Sequence, residues 1–165
     1  MVPVGNKKKQ EIRKPKILIA GLGNLLLRDD GVGVHAVREF QKLDQSTFCA
    51  VDIGCAIFDA LHLLEWAEKI LLIDAMKAGG QPGTVYRINT LDDLESGDML
   101  ASLHELSIIQ ALKIIRRKER PEICILGIEP ETIDFGLDLT RNVEAALPLV
   151  LETGQAIVKE WIKAL

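Results

Sequence analysis

Side chains that bind metals tightly are scarce in this sequence, whose 165 residues include only three histidines (His35, His62, His104) and three cysteines (Cys49, Cys55, Cys124). That poverty excludes zinc fingers, ferredoxin-type iron–sulfur clusters and a disulfide scaffold, all of which need more ligands at close spacing. The cysteine count is odd and no C-x-x-C occurs, which fits a reducing cytoplasm better than a secreted fold. Any metal site must therefore lean on carboxylates. A long apolar run is missing too: the longest, Ile17 to Leu27, is broken by glycines and Asn24, and no apolar stretch follows Met1 to Gly5. Neither a membrane span nor a signal peptide can be read, so a cytoplasmic protein without a membrane partner is expected. Internal repeats, linkers and low-complexity segments are also absent.

What is there points to one folded domain. Apolar residues make up 48% of the chain and charged residues 27%, which excludes disordered and collagen-like classes, and the length suits a single core. The net charge of -4 hides an asymmetry. Residues 1–15 carry Lys7, Lys8, Lys9, Arg13 and Lys14 against Glu11, a balance of +4. Residues 16–165 hold 15 basic and 23 acidic side chains, a balance of -8 that argues against a nucleic-acid surface. We read 1–15 as a flexible basic leader and 16–165 as a single α/β domain, a monomer or weak homo-oligomer.

Three short apolar runs, Ile17 to Ala20, Ile70 to Ile73 and Ile123 to Ile128, have strand length and little alternation, as buried parallel strands do. Between them lie helical spacings: Val32, Ala36, Phe40 and Leu43; Ile57, Leu61 and Leu64; Ile108, Leu112 and Ile115. A weaker strand, Cys49 to Ile53, separates the first two. Asp74 to Gly83 is too short and glycine-rich for a crossover helix, so Thr84 to Ile88 is expected to return antiparallel. From Arg141 onward the apolar spacing predicts a long amphipathic helix with a kink at Pro148. The expected fold is a three-layer α/β/α sandwich with a mostly parallel twisted sheet of about five strands, one of them antiparallel.

Candidate chemistry sits where strands end. Gly21-Leu22-Gly23-Asn24 hints at dinucleotide binding, but Leu26 occupies the third glycine position and Asp29-Asp30 would oppose a pyrophosphate. Those aspartates belong instead to the sheet's carboxyl edge, where open α/β sheets place ligands. One of them serves as helix N-cap, leaving the other carboxylate free. Asp74 ends the Ile70–Ile73 strand at the same edge. Ser102-Leu103-His104-Glu105 matches a capping box, which puts His104 in a first helical turn where the positive helix end keeps its imidazole neutral. Asp30, Asp74 and His104 form an O, O, N set suited to a divalent ion, which would polarise a carbonyl and lower the pKa of a bound water. His35 and His62, flanked by apolar residues, read as satisfied structural histidines, and Cys55 as a buried structural thiol.

The stretch from Ile17 through Asp29-Asp30-Gly31-Val32-Gly33 resembles the opening signature of the nickel–iron hydrogenase maturation endopeptidases. The likeness continues through Asp74-Ala75, Ser102-Leu103-His104-Glu105, Gly127-Ile128-Glu129-Pro130 and Ala146-Leu147-Pro148, in family order across about residues 17–162. It implies a peptidase domain over 16–165 that trims a C-terminal peptide from the hydrogenase large-subunit precursor after nickel insertion. The family's metal-contacting positions fall on Asp30, Asp74 and His104, with nickel supplied by the substrate rather than held permanently. Two positions depart from the pattern: Asp52-Ile53-Gly54-Cys55 stands where members often carry Asp-Gly-Gly-Thr, and Asp30 where some carry Glu. Two alternatives remain open: a chaperone that grips the nickel-containing subunit without cutting it, and a peptidyl-tRNA hydrolase, whose Gly-Leu-Gly-Asn opening is similar but continues Pro-Gly where this chain has Leu25-Leu26.

Overall fold

The computed structural model describes residues 15–89, 103–115 and 119–164, with side chains omitted for 103–107 and 109. Most of the basic leader and the capping residue Ser102 lie outside the described residues. In chain order the elements are β1 (Ile17–Leu22), α1 (Val32–Phe40), β2 (Cys49–Gly54), α2 (Leu61–Trp66), β3 (Lys69–Ala75), β4 (Val85–Ile88), α3 (Leu103–Ile114), β5 (Glu122–Ile128) and α4 (Arg141–Lys163). Short 3-10 turns over Arg28–Gly31 and Ile57–Ala60 lead into α1 and α2.

The strands lie in the order β2-β1-β3-β5-β4. The first four in that order run parallel, and β4 returns antiparallel along β5, pairing Val85 with Ile128 and Tyr86 with Gly127. The nine-residue connection 76–84 has no room for a crossover helix, so the reversal follows from chain length.

Side chains alternate across the central strands because successive Cβ atoms point to opposite faces. Ile17 and Ile19 of β1, Leu71 and Ile73 of β3, and Cys124 and Leu126 of β5 meet α1 and α4 on one face. Leu18 and Ala20, Ile70 and Leu72, and Ile123 and Ile125 meet α2 and α3 on the other. Covered on both faces, these strands are apolar throughout, and each fully buried Leu or Ile contributes about 1.5–3 kcal/mol. The result is the three-layer sandwich expected from the sequence.

Where helices meet the sheet, glycine sets the distance. A Cβ on Gly33 would lie 2.0 Å from the Ile73 carbonyl oxygen and 2.5 Å from that of Leu22. The start of α1 is thereby held against the carboxyl ends of β1 and β3. Two helical expectations are modified. Helix α1 stops at Phe40, because residues 41–46 are exposed and Leu43 finds little to bury against. The Ile57–Leu64 pattern is split between a 3-10 turn and α2, both of which turn Ile57, Ala60 and Leu64 inward. Helix α4 continues past Pro148, held by buried Val143, Val150, Ile157 and Trp161.

Candidate functional site

Strand β1 is flanked by β2 on one side and β3 on the other, and its chain crosses to β2 while β3 leads the opposite way. The carboxyl ends of β1 and β3 therefore border a switch point in strand order, the crevice where open α/β sheets place ligands. Two candidate aspartates come from those two strand ends.

The chain leaves β1 through Gly23, whose φ of 118° and contact with the Asp30 carbonyl, 1.8 Å from a hypothetical Cβ, leave no place for a side chain. Beyond it the Leu26 amide donates to the Asn24 side-chain oxygen at 2.9 Å, and the Leu27 amide to the Asn24 carbonyl at 3.0 Å. Asp30 closes this loop from the other end, accepting the Asn24 amide on Oδ2 at 2.9 Å while remaining half-buried. Between them Arg28 holds φ of 48°, a left-handed backbone that costs a non-glycine residue about 1–2 kcal/mol.

Neither aspartate caps α1, which corrects the expectation from the sequence: the cap position is Gly31 and no side chain bonds there. The intervening 3-10 turn displaces both carboxylates from the capping geometry. Asp29 points away from Asp30 and is completely buried. Its Oδ2 accepts the amides of Glu131 at 2.9 Å and Thr132 at 3.0 Å and the Thr140 hydroxyl at 2.8 Å, while Oδ1 accepts the Thr140 amide at 2.7 Å. Four donors offset the cost of burying the charge, so Asp29 is the anchor of the segment from Glu131 to Thr140.

Asp74 is completely buried at the end of β3, where its Oδ1 accepts the Ala75 amide at 2.8 Å. Strand alternation sets it on the α2/α3 side of the sheet, in register with Gly127 of β5. The 3-10 turn bearing Asp30 packs against β3 beside it. His104 is the second residue of α3, on that same side of the sheet, and its side chain lies outside the described residues. Among the described residues no three His, Cys, Asp or Glu side chains gather closely enough to hold a metal ion.

Glu129, just beyond β5, was not singled out as chemistry by the sequence. Its buried carboxylate accepts the amides of Ala78 at 2.8 Å, Gly79 at 3.3 Å and Gly80 at 3.2 Å, and the Tyr86 hydroxyl at 2.9 Å. Burial pushes this acid up, but the Ala78 amide, the Tyr86 hydroxyl and the two glycine amides outweigh it and hold its pKa below the usual value. Burial and the neighbouring carboxylate in turn raise Tyr86. Glu129 thus fixes the loop that follows Asp74. A carboxylate directly after β5 was the available signal for Glu129, whereas nothing beside Asp29 in the sequence announces the donors that reach it from Glu131, Thr132 and Thr140.

The remaining candidates divide. His62 is exposed, with Nδ1 3.2 Å from the Asp59 carbonyl oxygen. His35 is only partly satisfied: its buried Nε2 has no hydrogen-bond partner among the described residues, and burial, aided by the Arg38 charge, lowers its pKa. Cys55 is exposed rather than buried, since the chain turns out of the sheet at Gly54 (φ 54°), and its Sγ lies 3.5 Å from the Gly23 carbonyl. The Gly54 carbonyl accepts the Gly23 amide at 3.2 Å, so the divergent Asp52–Cys55 segment abuts the loop that carries Asp30.

Known proteins resemble this chain in sequence and architecture. A family model described as HycI, hydrogenase maturation protease, matches residues 34–157. The chain is 28% identical over 156 residues to the hydrogenase expression/formation protein HupD of Rhizobium leguminosarum bv. viciae, a match covering 89% of this chain and 76% of HupD. The hydrogenase maturating endopeptidase HybD from Escherichia coli superposes with a TM-score of 0.79 at 26% identity, covering 88% of this chain and 93% of that one. The NiFe hydrogenase maturation protease HybD from Thermococcus kodakarensis superposes with a TM-score of 0.76 at 28% identity, covering 87% and 99%. This chain belongs to the hydrogenase maturation protease family and is a peptide-bond hydrolase.

Proposed function

We propose that the protease removes the C-terminal peptide of the nickel-loaded hydrogenase large-subunit precursor, and that Asp30, Asp74 and His104 contact the nickel the precursor carries. The observation that supports this most is that the 3-10 turn carrying Asp30 packs against β3, the strand that ends with Asp74, at the switch point between β1 and β3. His104, at the start of α3, is on the sheet face to which Asp74 belongs. Two carboxylates and one imidazole leave coordination positions for water and for a substrate carbonyl. A divalent ion held there would supply polarisation of a carbonyl and a bound water of lowered pKa, the two requirements of amide hydrolysis.

In this reading aspartates, rather than a serine or cysteine nucleophile, carry the site, and the nickel arrives with the substrate. Three free thiols support a reducing, cytoplasmic setting. The test is to incubate nickel-loaded precursor with wild type and with Asp30→Asn, Asp74→Asn and His104→Ala. Precursor mobility and the mass of its C-terminus report cleavage, and thermal melts control for folding. Wild type shortens the precursor, and each variant slows processing by about a hundredfold or more. Normal processing by all three variants overturns the assignment.

A further inference from the structure

The loop carrying Asp30 is joined on its outer side to the segment that Asp29 anchors. Leu27 and Gly136 form a parallel bridge, in which the Arg28 amide donates to the Gly136 carbonyl at 2.9 Å and the Gly136 amide to the Leu26 carbonyl at 2.9 Å. Arg28 adds an ion pair to Asp134 at 2.8 Å. Around this bridge stand four large apolar side chains exposed to solvent: Phe135 at 81%, Leu137 at 64%, Leu26 at 52% and Ile133 at 39%.

Exposed apolar residues scattered singly need no explanation, whereas a cluster held by an ordered backbone marks an interaction surface. Here Asp29 binds both ends of the Glu131–Thr140 segment with four hydrogen bonds, so the side chains are presented on a preorganised support. The cluster is continuous with the candidate site, because Leu26 and Asp30 belong to the single loop that Asn24 closes. The segment that carries it is acidic, with Glu131, Asp134 and Asp138, of which Asp134 is paired with Arg28 and Glu131 accepts from the Asn142 side chain. An occupant must therefore offer an apolar surface edged by basic side chains and reach the Asp30/Asp74 crevice at the same time.

We infer that Leu26, Ile133, Phe135 and Leu137 form the docking surface for the substrate protein, separate from the groups that cut it. The inference rests on the proposed endopeptidase reading for the partner's identity, and it assigns the enzyme's affinity to a patch outside the cleavage centre. Aromatic and aliphatic anchors of this kind dominate protein recognition when they are buried by a partner.

The experiment measures binding of nickel-loaded precursor to immobilised protein, cleavage kinetics and sedimentation for wild type, Phe135→Ser/Leu137→Ser, and Leu149→Ser, an apolar residue on α4 that is 52% exposed. The double variant is expected to weaken binding and raise KM about tenfold or more, with kcat within about twofold, while Leu149→Ser matches wild type. Wild type that cuts while the double variant keeps its KM and affinity overturns the docking surface and leaves the endopeptidase reading intact. Wild type that binds through the patch without cutting overturns the endopeptidase reading and leaves the surface. Wild type that neither binds nor cuts overturns both. A wild-type homodimer that the double variant dissolves, with precursor affinity unchanged, assigns the patch to a second copy of the chain and overturns the inference.

Discussion

Asp29 and Thr140 are 111 residues apart in the chain and share two hydrogen bonds, from the Thr140 amide at 2.7 Å and from its hydroxyl at 2.8 Å. Through this contact the loop after β1 and the start of α4 become one unit, and Asp30, the next residue, inherits its position from it. A candidate catalytic aspartate thus depends on a neighbouring aspartate whose role is structural.

Replacing Asp29 with Asn keeps one acceptor oxygen but turns an amide group toward donors. Hydrogen bonds to a charged group contribute about 1.5–3 kcal/mol, so Asp29→Asn is expected to lower stability by about 3 kcal/mol. Urea unfolding followed by circular dichroism checks this. A loss within about 0.5 kcal/mol would show that the segment is held by its other contacts.

The glycines give a contrast that needs no assumption about chemistry. Gly33→Ala drives a methyl group into two backbone carbonyls at the junction of β1 and β3, where neither neighbour can yield, and a cost of about 3 kcal/mol or more is expected. Gly79→Ala meets nothing within 4 Å, and its only cost is the left-handed backbone at φ 82°. That substitution is expected to cost about 1 kcal/mol. Thermal melts of the two purified variants test the ordering.

Glu129 sets an acid limit on stability. Its pKa is lowered in the folded protein, so the folded state binds this proton less readily than the unfolded one. The contribution is fully present above the ordinary glutamate value of about 4.3 and is lost as pH falls below it. Glu129→Gln should accordingly be less stable than wild type at pH 7, and the gap should shrink as pH approaches about 3. Denaturation midpoints that differ equally at both pH values would refute this account.

His35 acts at a higher pH by the same sign. Burial and Arg38 lower its pKa below 6.5, so protonation favours the unfolded chain and stability declines as pH falls through and below that value. Ring-proton shifts followed by NMR should give a midpoint below 6.5, and the melting temperature should fall as pH drops from about 7 to 5.5. A midpoint at or above the ordinary value would mean that solvent reaches the ring.

Much of the fold could be read along the chain. Ile17–Ala20, Ile70–Ile73 and Ile123–Ile128 are apolar without alternation because both faces of the sheet are covered, and a short glycine-rich link beside β3 permits only an antiparallel return. Asp74 was legible for a related reason, since a carboxylate that closes a buried apolar run lies at the sheet's carboxyl edge, and Asp30 because the loop that follows β1 leaves the sheet at that same edge. Local pattern did not distinguish Asp29 from Asp30. Both are aspartates before a helix, and only the donors supplied by Glu131, Thr132 and Thr140 turn Asp29 inward.

Cys55 and His35 mark the same boundary. His35 was read from its apolar neighbours and Cys55 from the lack of any nearby group to activate its thiol, yet exposure depends on what packs across from a residue, and Gly54 turns the chain outward before Cys55. By itself the sequence determined the strands, their covered faces, the antiparallel return and the edge at which chemistry collects, because hydrophobic period and strand ends are local properties. Only the tertiary structure decided which aspartate is an anchor, which helix start rests on Gly33, and which apolar side chains Phe135 and Leu137 leave in water. Those outcomes depend on donors and surfaces that come from distant parts of the chain, and no spacing along it records them.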